Sequence, residues 1–186
     1  MTATVLVIDG PRSAGKTTMV NRICEHFKDN DRLKVYIHKT SRPSSNLWDG
    51  INSILTDWYY LPHDHVILVD RFHLTEYVYS TINARVDDYE LWSNFSKFDQ
   101  RLLSFGLRFR YTVLMATKDE LLARTLERPE LDKRVYDMDP DIVWDVWTMA
   151  VAKSKIATMR VNRDRLDADV CFASMVKWIE TNGGKR

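Results

Sequence analysis

The chain is 186 residues long, enough for a single domain whose sheet is covered by helices on both faces. Its 27 Lys and Arg nearly balance 26 Asp and Glu, which excludes a broad single-sign field and disfavours a nucleic-acid tracking protein, though not a local basic cleft. Cys24 and Cys171 lack metal-ligand spacing, no apolar run reaches membrane-span length and the N-terminus has no signal-peptide pattern, so a soluble, cytoplasmic chain with free thiols and no membrane partner is expected.

Thr4-Val5-Leu6-Val7-Ile8-Asp9 is a short apolar, β-branched run of the kind a buried parallel strand requires. Gly10-Pro11-Arg12-Ser13-Ala14-Gly15-Lys16-Thr17 follows and fits the phosphate-binding loop pattern G-x-x-x-x-G-K-[ST] in full. Met19, Val20, Ile23 and Phe27 then share one helical face. Strand, loop and helix in this order set aside a chance glycine-rich turn. Gly10 and Gly15 permit close backbone approach to an anion, and the loop amides converge on a phosphate at a helix N-terminus. The residues from Gly10 to Thr18 (Gly10, Pro11, Arg12, Ser13, Ala14, Gly15, Lys16, Thr17 and Thr18) are expected to bind ATP. In that arrangement Lys16 reaches the β and γ phosphates and the Thr17 hydroxyl holds Mg²⁺.

The pattern beyond the loop alternates strands and helices. Leu33 to His38 alternates apolar and polar residues, as a strand nearer a sheet edge does, and opens into a polar loop with the cations Lys39 and Arg42. Asn46 caps a helix with Leu47, Trp48, Ile51, Ile54, Leu55 and Trp58 on one face, ended by Leu61-Pro62. Val66 to Asp70 is a buried strand running into a carboxylate, the expected second half of a nucleotide site in which Asp70 holds Mg²⁺ or its water. Leu74, Tyr77, Val78, Thr81 and Ile82 form the helix behind it. Asp87 to Glu90 starts a further helix with Leu91, Phe95, Phe98 and Leu102 inward and Gly106 beyond its end.

Phe109 to Ala116 is the fourth strand, and Thr117 with Glu120 forms a capping box for a short helix that carries Arg124 and Arg128 on one face before Pro129. Those arginines also read as a solvated face, and Arg71 as half of a structural ion pair. Asp139-Pro140 starts a long helix through Ala150. A last strand is predicted over roughly Asn162 to Leu166, followed by Asp167-Ala168-Asp169, a closing helix to Trp178 and a polar tail over 181–186. The whole predicts one domain over 1–180 with a lid at about 117–136. Its fold is a three-layer P-loop NTPase α/β fold: a five-stranded parallel sheet, helices on both faces and the ligand crevice beyond the carboxyl ends of the strands.

The loop Gly10 to Thr17, the turn Asp70-Arg71-Phe72 and the stretch Arg124 to Arg134 (RTLERPELDKR) together resemble the thymidylate kinase family of P-loop nucleoside and nucleotide kinases. The resemblance implies that Asp70 and Arg71 combine metal handling with a grip on the acceptor's phosphate, and that Arg124 and Arg128 belong to a lid closing over the donor. Leu166-Asp167-Ala168 is similar to the family's last strand and turn, which puts Asp167 and Ala168 beside the adenine. The loop departs from the family by carrying no carboxylate between its glycines, Arg12 standing where one is usual.

Phosphoryl transfer asks mainly for positioning and charge neutralisation, which Lys16, Mg²⁺ on Thr17 and Asp70, and lid arginines supply. The acceptor follows from charge. Lys39 and Arg42 follow the second strand where a nucleoside kinase needs a carboxylate base, so an acceptor that is already a phosphate is favoured. Lys39, Arg42, Trp48, Arg71 and Phe72 are the candidate acceptor-binding residues. The resemblance narrows the substrate to thymidine monophosphate or a related deoxypyrimidine nucleotide. A polynucleotide, nucleoside or modified-base kinase on the same loop stays open, as do a non-transferring NTP-binding switch and a homodimer.

Overall fold

The structure, a computed structural model, describes residues 3–30, 34–39, 55–61, 65–83, 88–127, 139–162 and 165–183, with the backbone alone for 34–39 and 88–92. The strands are β1 (Thr4–Asp9), β2 (Lys34–Lys39), β3 (His65–Asp70), β4 (Arg108–Met115) and β5 (Ala157–Val161). The helices between and after them are α1 (Lys16–Phe27), α2 (His73–Ile82), α3 (Asp88–Ser104), α4 (Lys118–Leu126), α5 (Pro140–Lys153) and α6 (Arg165–Asn182). Residues 55–59, ahead of β3, are helical as well.

All pairings are parallel, in the order β2-β3-β1-β4-β5. The edge position expected for the second strand is where β2 lies. Each residue of β1 and β3 is buried, as strands covered on both faces must be, and that is why both read as unbroken apolar runs.

Two apolar layers flank the sheet. On one face Val5, Val7, Ile67, Val69 and Val113 pack with Trp58, Phe72, Leu74, Phe95, Phe98 and Trp147, side chains of the 55–59 helix, α2, α3 and α5. On the other, Leu6, Ile8, Val66, Leu68 and Leu114 meet Met19, Val20, Ile23 and Phe27 of α1, Leu121 of α4 and Cys171, Met175 and Ile179 of α6. The stripe of α1 and, in α3, Phe95, Phe98 and Leu102 therefore face inward as their spacing predicts, the Leu91 side chain lying outside the described residues. Among the described residues no helix is long and apolar enough to cross a membrane.

The helix starts follow their caps. Thr117 accepts from the Glu120 amide at 3.3 Å and Asp139 from the Asp141 amide at 2.9 Å, with Pro140 in the first turn of α5. Two boundaries correct the sequence reading. The last strand is Ala157–Val161, not 162–166: it begins where Ser154 ends α5, and the Asn162 amide bonds to the Met115 carbonyl at 2.8 Å as the strand finishes. Its burial only alternates between intermediate and exposed, so Thr158 and Arg160 dilute the apolar signal. Asp167 and Ala168 consequently lie in the first turns of α6, and that helix runs through Asn182 into the stretch expected as tail.

A buried His73–Asp99 contact joins α2 and α3 to the turn that follows α5. His73 Nε2 of α2 lies 2.9 Å from Asp99 Oδ1 of α3, with both side chains excluded from solvent. Asp99 Oδ2 also accepts from the Ser154 hydroxyl at 2.8 Å and the Lys155 amide at 2.7 Å. Burial alone pushes the Asp99 carboxyl upward, but the His73 bond and charge, with these two donors, outweigh it and hold it below its usual 3.8.

Candidate nucleotide site

The site is built where β1, β2 and β3 end together. Ile8 pairs with Asp70 and Lys39 with Asp70 in the strand register, so the loop after β1 faces the turn after β3. Gly10 opens that loop at φ +137, and a Cβ there would stand 2.1 Å from the Leu114 carbonyl oxygen. Only glycine lets the loop leave β1 so close to β4. Gly15 closes it at φ +86 as the N-cap of α1, leaving the first turn of that helix without a side-chain cap. Uncapped amides at a helix N-terminus are the arrangement that binds anions.

Lys16 is buried, and its ammonium donates to the Pro11 carbonyl at 2.6 Å. Burial lowers its pKa from 10.5 to about 8, helped by the charges of Arg71 and Arg12 and opposed by Asp9 and Asp70. The Thr17 hydroxyl donates to Asp70 Oδ2 at 3.3 Å. Asp70 Oδ1 is buried and has no hydrogen-bond partner among the described residues. A buried carboxylate oxygen left in this state is costly unless a cation or donor meets it.

The residues present therefore fit a Mg²⁺ ion, which takes one or two protein oxygens and completes its shell with phosphate and water. Among the described residues no group of three or more His, Cys, Asp or Glu could hold a metal by itself.

Arg71 follows at φ +73, its amide donating to the Ile8 carbonyl at 3.0 Å. A non-glycine residue in this region is strained, and here the strain occurs at the turn that presents Arg71 beside Lys16. Tyr79 of α2 borders the same space. Burial raises its hydroxyl above the usual 10, while the charges of Arg71 and Arg12 and the Arg12 backbone pull the other way.

Helix α4 touches the loop directly. Arg124 donates to the Ser13 carbonyl at 3.4 Å and pairs with Glu120 at 2.9 Å, and the Thr125 hydroxyl lies 3.3 Å from that of Ser13. Ser13 has φ +62. Arg124 thus reaches the phosphate loop, whereas Arg128 and the remainder of the expected lid lie outside the described residues, as do Arg42 and Trp48. Lys39 is placed by its backbone at the mouth of β2.

Phe72 needs correcting as an acceptor-binding residue. It is fully buried, with its ring 5.4 Å from Trp58 and 5.7 Å from Phe98. Its position one residue past the strained turn directs it into the core, where it packs and does not face a ligand.

Sequence reasoning missed Asp9. Fully buried at the end of β1, its Oδ1 accepts from the Gly10 amide at 2.8 Å and from the Thr75 hydroxyl. Its Oδ2 accepts from the Phe72 amide at 3.1 Å, the Thr75 amide at 3.2 Å and the Tyr111 hydroxyl at 2.6 Å. Burial, with the Asp9 charge beside it, raises the Tyr111 phenol well above its usual 10, so Tyr111 stays a donor. The available signal was a carboxylate ending an apolar strand, the same signal that marked Asp70.

No protein-family model matches the sequence, and no curated protein matches it. Solved structures do. Polyphosphate kinase 2 from Arthrobacter aurescens superposes with TM-score 0.68 at 17% identity, over 98% of this chain and 69% of that one. The YorR protein of Bacillus subtilis, solved in complex with phosphorylated GDP, superposes with TM-score 0.64 at 13% identity, over 98% of this chain and 99% of that one. At such identities the likeness is one of fold: the chain shares the α/β fold of these proteins.

Proposed function

We propose that this chain transfers the γ-phosphoryl group of ATP to the phosphate of a nucleoside monophosphate, thymidine monophosphate or a related deoxypyrimidine nucleotide, with Mg²⁺. The observation that carries the reading is the open Oδ1 of Asp70, held 3.3 Å through its other oxygen from Thr17 at the mouth of a complete phosphate loop. When bound, Mg²⁺ supplies charge neutralisation on the donor phosphates.

The chain's own residues do the rest. The loop from Gly10 to Thr18 cradles the donor, its Gly10 amide held by Asp9, and Lys16 leaves the Pro11 carbonyl to meet it. Arg71 takes the acceptor's phosphate together with Lys39 and Arg42, and Arg124 reaches over Ser13 to the transferring group, with Arg128 from the same lid. Asp167 and Ala168, in the first turns of α6, border the adenine. Cations without a carboxylate after β2 suit an acceptor that is already ionised and needs no base.

The test is an ADP-release screen with ATP and Mg²⁺ against nucleoside monophosphates, nucleosides and short oligonucleotides. Thymidine monophosphate is expected to outperform thymidine at least about tenfold in kcat/KM, the worth of one charge-assisted bond to a phosphate. Equal efficiency would overturn the acceptor argument. Preference for a purine monophosphate would discard only the base. Tight nucleotide binding with no transfer to any acceptor would discard the kinase reading.

A further inference from the structure

Helix α2 begins without a cap of its own. Phe72 holds the N-cap position in an extended conformation, and its side chain accepts no hydrogen bond. The first turn of a helix leaves four amides unsatisfied and carries partial positive charge. Asp9 meets both needs from another strand. Its carboxylate accepts the Phe72 and Thr75 amides at 3.1 and 3.2 Å and the Thr75 hydroxyl. The Leu74 amide donates to the Tyr111 hydroxyl at 3.3 Å, which in turn donates to Asp9 at 2.6 Å.

The same carboxylate also accepts the Gly10 amide at 2.8 Å. One buried group therefore holds the first residue of the phosphate loop and the first turn of the helix that follows Asp70-Arg71. Every hydrogen-bond partner it has among the described residues is a donor, so both oxygens accept. An Asn would turn its amide nitrogen toward donors whichever way it flipped, and a Glu would carry the carboxylate one methylene too far.

We infer that Asp9 is a positioning residue for phosphoryl transfer, fixing Lys16 and Thr17 of the donor loop against Asp70 and Arg71 of the facing turn. It works through the backbone it holds and meets neither nucleotide. The inference rests on the phosphotransferase reading above and adds the element that brings its two halves into register.

The test uses the full chain with Asp9→Asn, Tyr111→Phe, Thr75→Val and Thr75→Ser, and the probe pair is ATP–Mg²⁺ with thymidine monophosphate. A displacement of order 1 Å costs about 10²-fold in rate, so Asp9→Asn is expected to lose about that much in kcat. Tyr111→Phe and Thr75→Val each remove one donor to a charged group and should lose about tenfold, with KM for ATP nearly unchanged. Thr75→Ser keeps the donor and should restore the rate. Folded variants with wild-type kcat and a lowered Tm would overturn the inference, because Asp9 would then be a cap alone.

Amide hydrogen exchange on the ligand-free chain reads the coupling without any turnover. Thr75→Val and Tyr111→Phe should speed exchange at Gly10 and Phe72 together, leaving the middle of β1 protected. A Gly10 amide indifferent to both changes overturns the coupling even if transfer is active. Coupled exchange in a wild type that phosphorylates no acceptor discards the kinase reading instead, and leaves the coupling standing.

Discussion

Asp9 and Asp70 end neighbouring parallel strands, one register step apart, and both are buried. Asp9 has both oxygens filled by donors from Gly10, Phe72, Thr75 and Tyr111. Asp70 has one oxygen near Thr17 and the other without a partner among the described residues. Burial of an unmatched carboxylate oxygen is unfavourable, so the folded chain alone does not account for Asp70. The difference separates a carboxylate that completes the architecture from one whose open oxygen suits the Mg²⁺–nucleotide of the proposed function.

The largest expected effect falls on the open side. Lys16→Ala should abolish transfer and keep the fold, because among the described residues the Lys16 ammonium hydrogen-bonds to the Pro11 carbonyl alone. Retention of more than about a tenth of wild-type turnover would remove this loop as the donor site. Asp70→Asn should lower turnover about 10²-fold and weaken its Mg²⁺ dependence, since the open oxygen loses its charge. Arg71→Ala should chiefly raise the acceptor's KM, by about tenfold for one lost charge-assisted bond. Matching kinetic defects in the last two variants would erase the division of roles between neighbours.

Much of this was legible in the sequence. The phosphate loop is legible because its chemistry needs particular residues at fixed spacing, and Asp70 because it follows a buried run at the expected place. The layers were legible because the stripes of α1 and α3 repeat at helical spacing. Asp9 was not, because its partners Thr75 and Tyr111 are 66 and 102 residues away and nothing local announces them. Phe72 was misread for the converse reason: a ring beside a functional turn looks like a base platform until the φ of Arg71 sends the chain inward. The edge strand β5 was placed late because its exposed Thr158 and Arg160 carry little apolar signal.

A third buried carboxylate sharpens the contrast on the stability side. Asp99 is filled like Asp9, by His73, Ser154 and Lys155, but it lies in the layer of α2, α3 and α5 away from the loop. Breaking a buried pair leaves its partner uncompensated, so Asp99→Asn should destabilise by about 3–5 kcal/mol. Thermal unfolding checks it. The folded carboxyl is held below 3.8, so its contribution is fully present above that pH and is lost as pH falls through the lower folded value. Asp99→Asn should flatten this acid limb of the Tm profile, and an unchanged limb would assign acid sensitivity to other groups.

The smallest effect is a fraction of a proton at Lys16. Its folded pKa of about 8 lies below the ordinary 10.5, so the unfolded chain binds more protons between those values and stability rises with pH across that window. Binding works the other way. A phosphate beside the amine favours the charged form and raises its pKa, so nucleotide binding at pH 8 should take up about half a proton and at pH 6.5 almost none. Calorimetry of ADP binding in buffers of different ionisation enthalpy measures this uptake directly. The pH dependence should vanish in Lys16→Met, which keeps a long side chain in the same space and cannot titrate. Uptake that persists in that variant would move the titrating group elsewhere. Uptake confined to Lys16 would show that the same burial which leaves Asp70 half-satisfied also holds the facing lysine partly discharged until the nucleotide arrives.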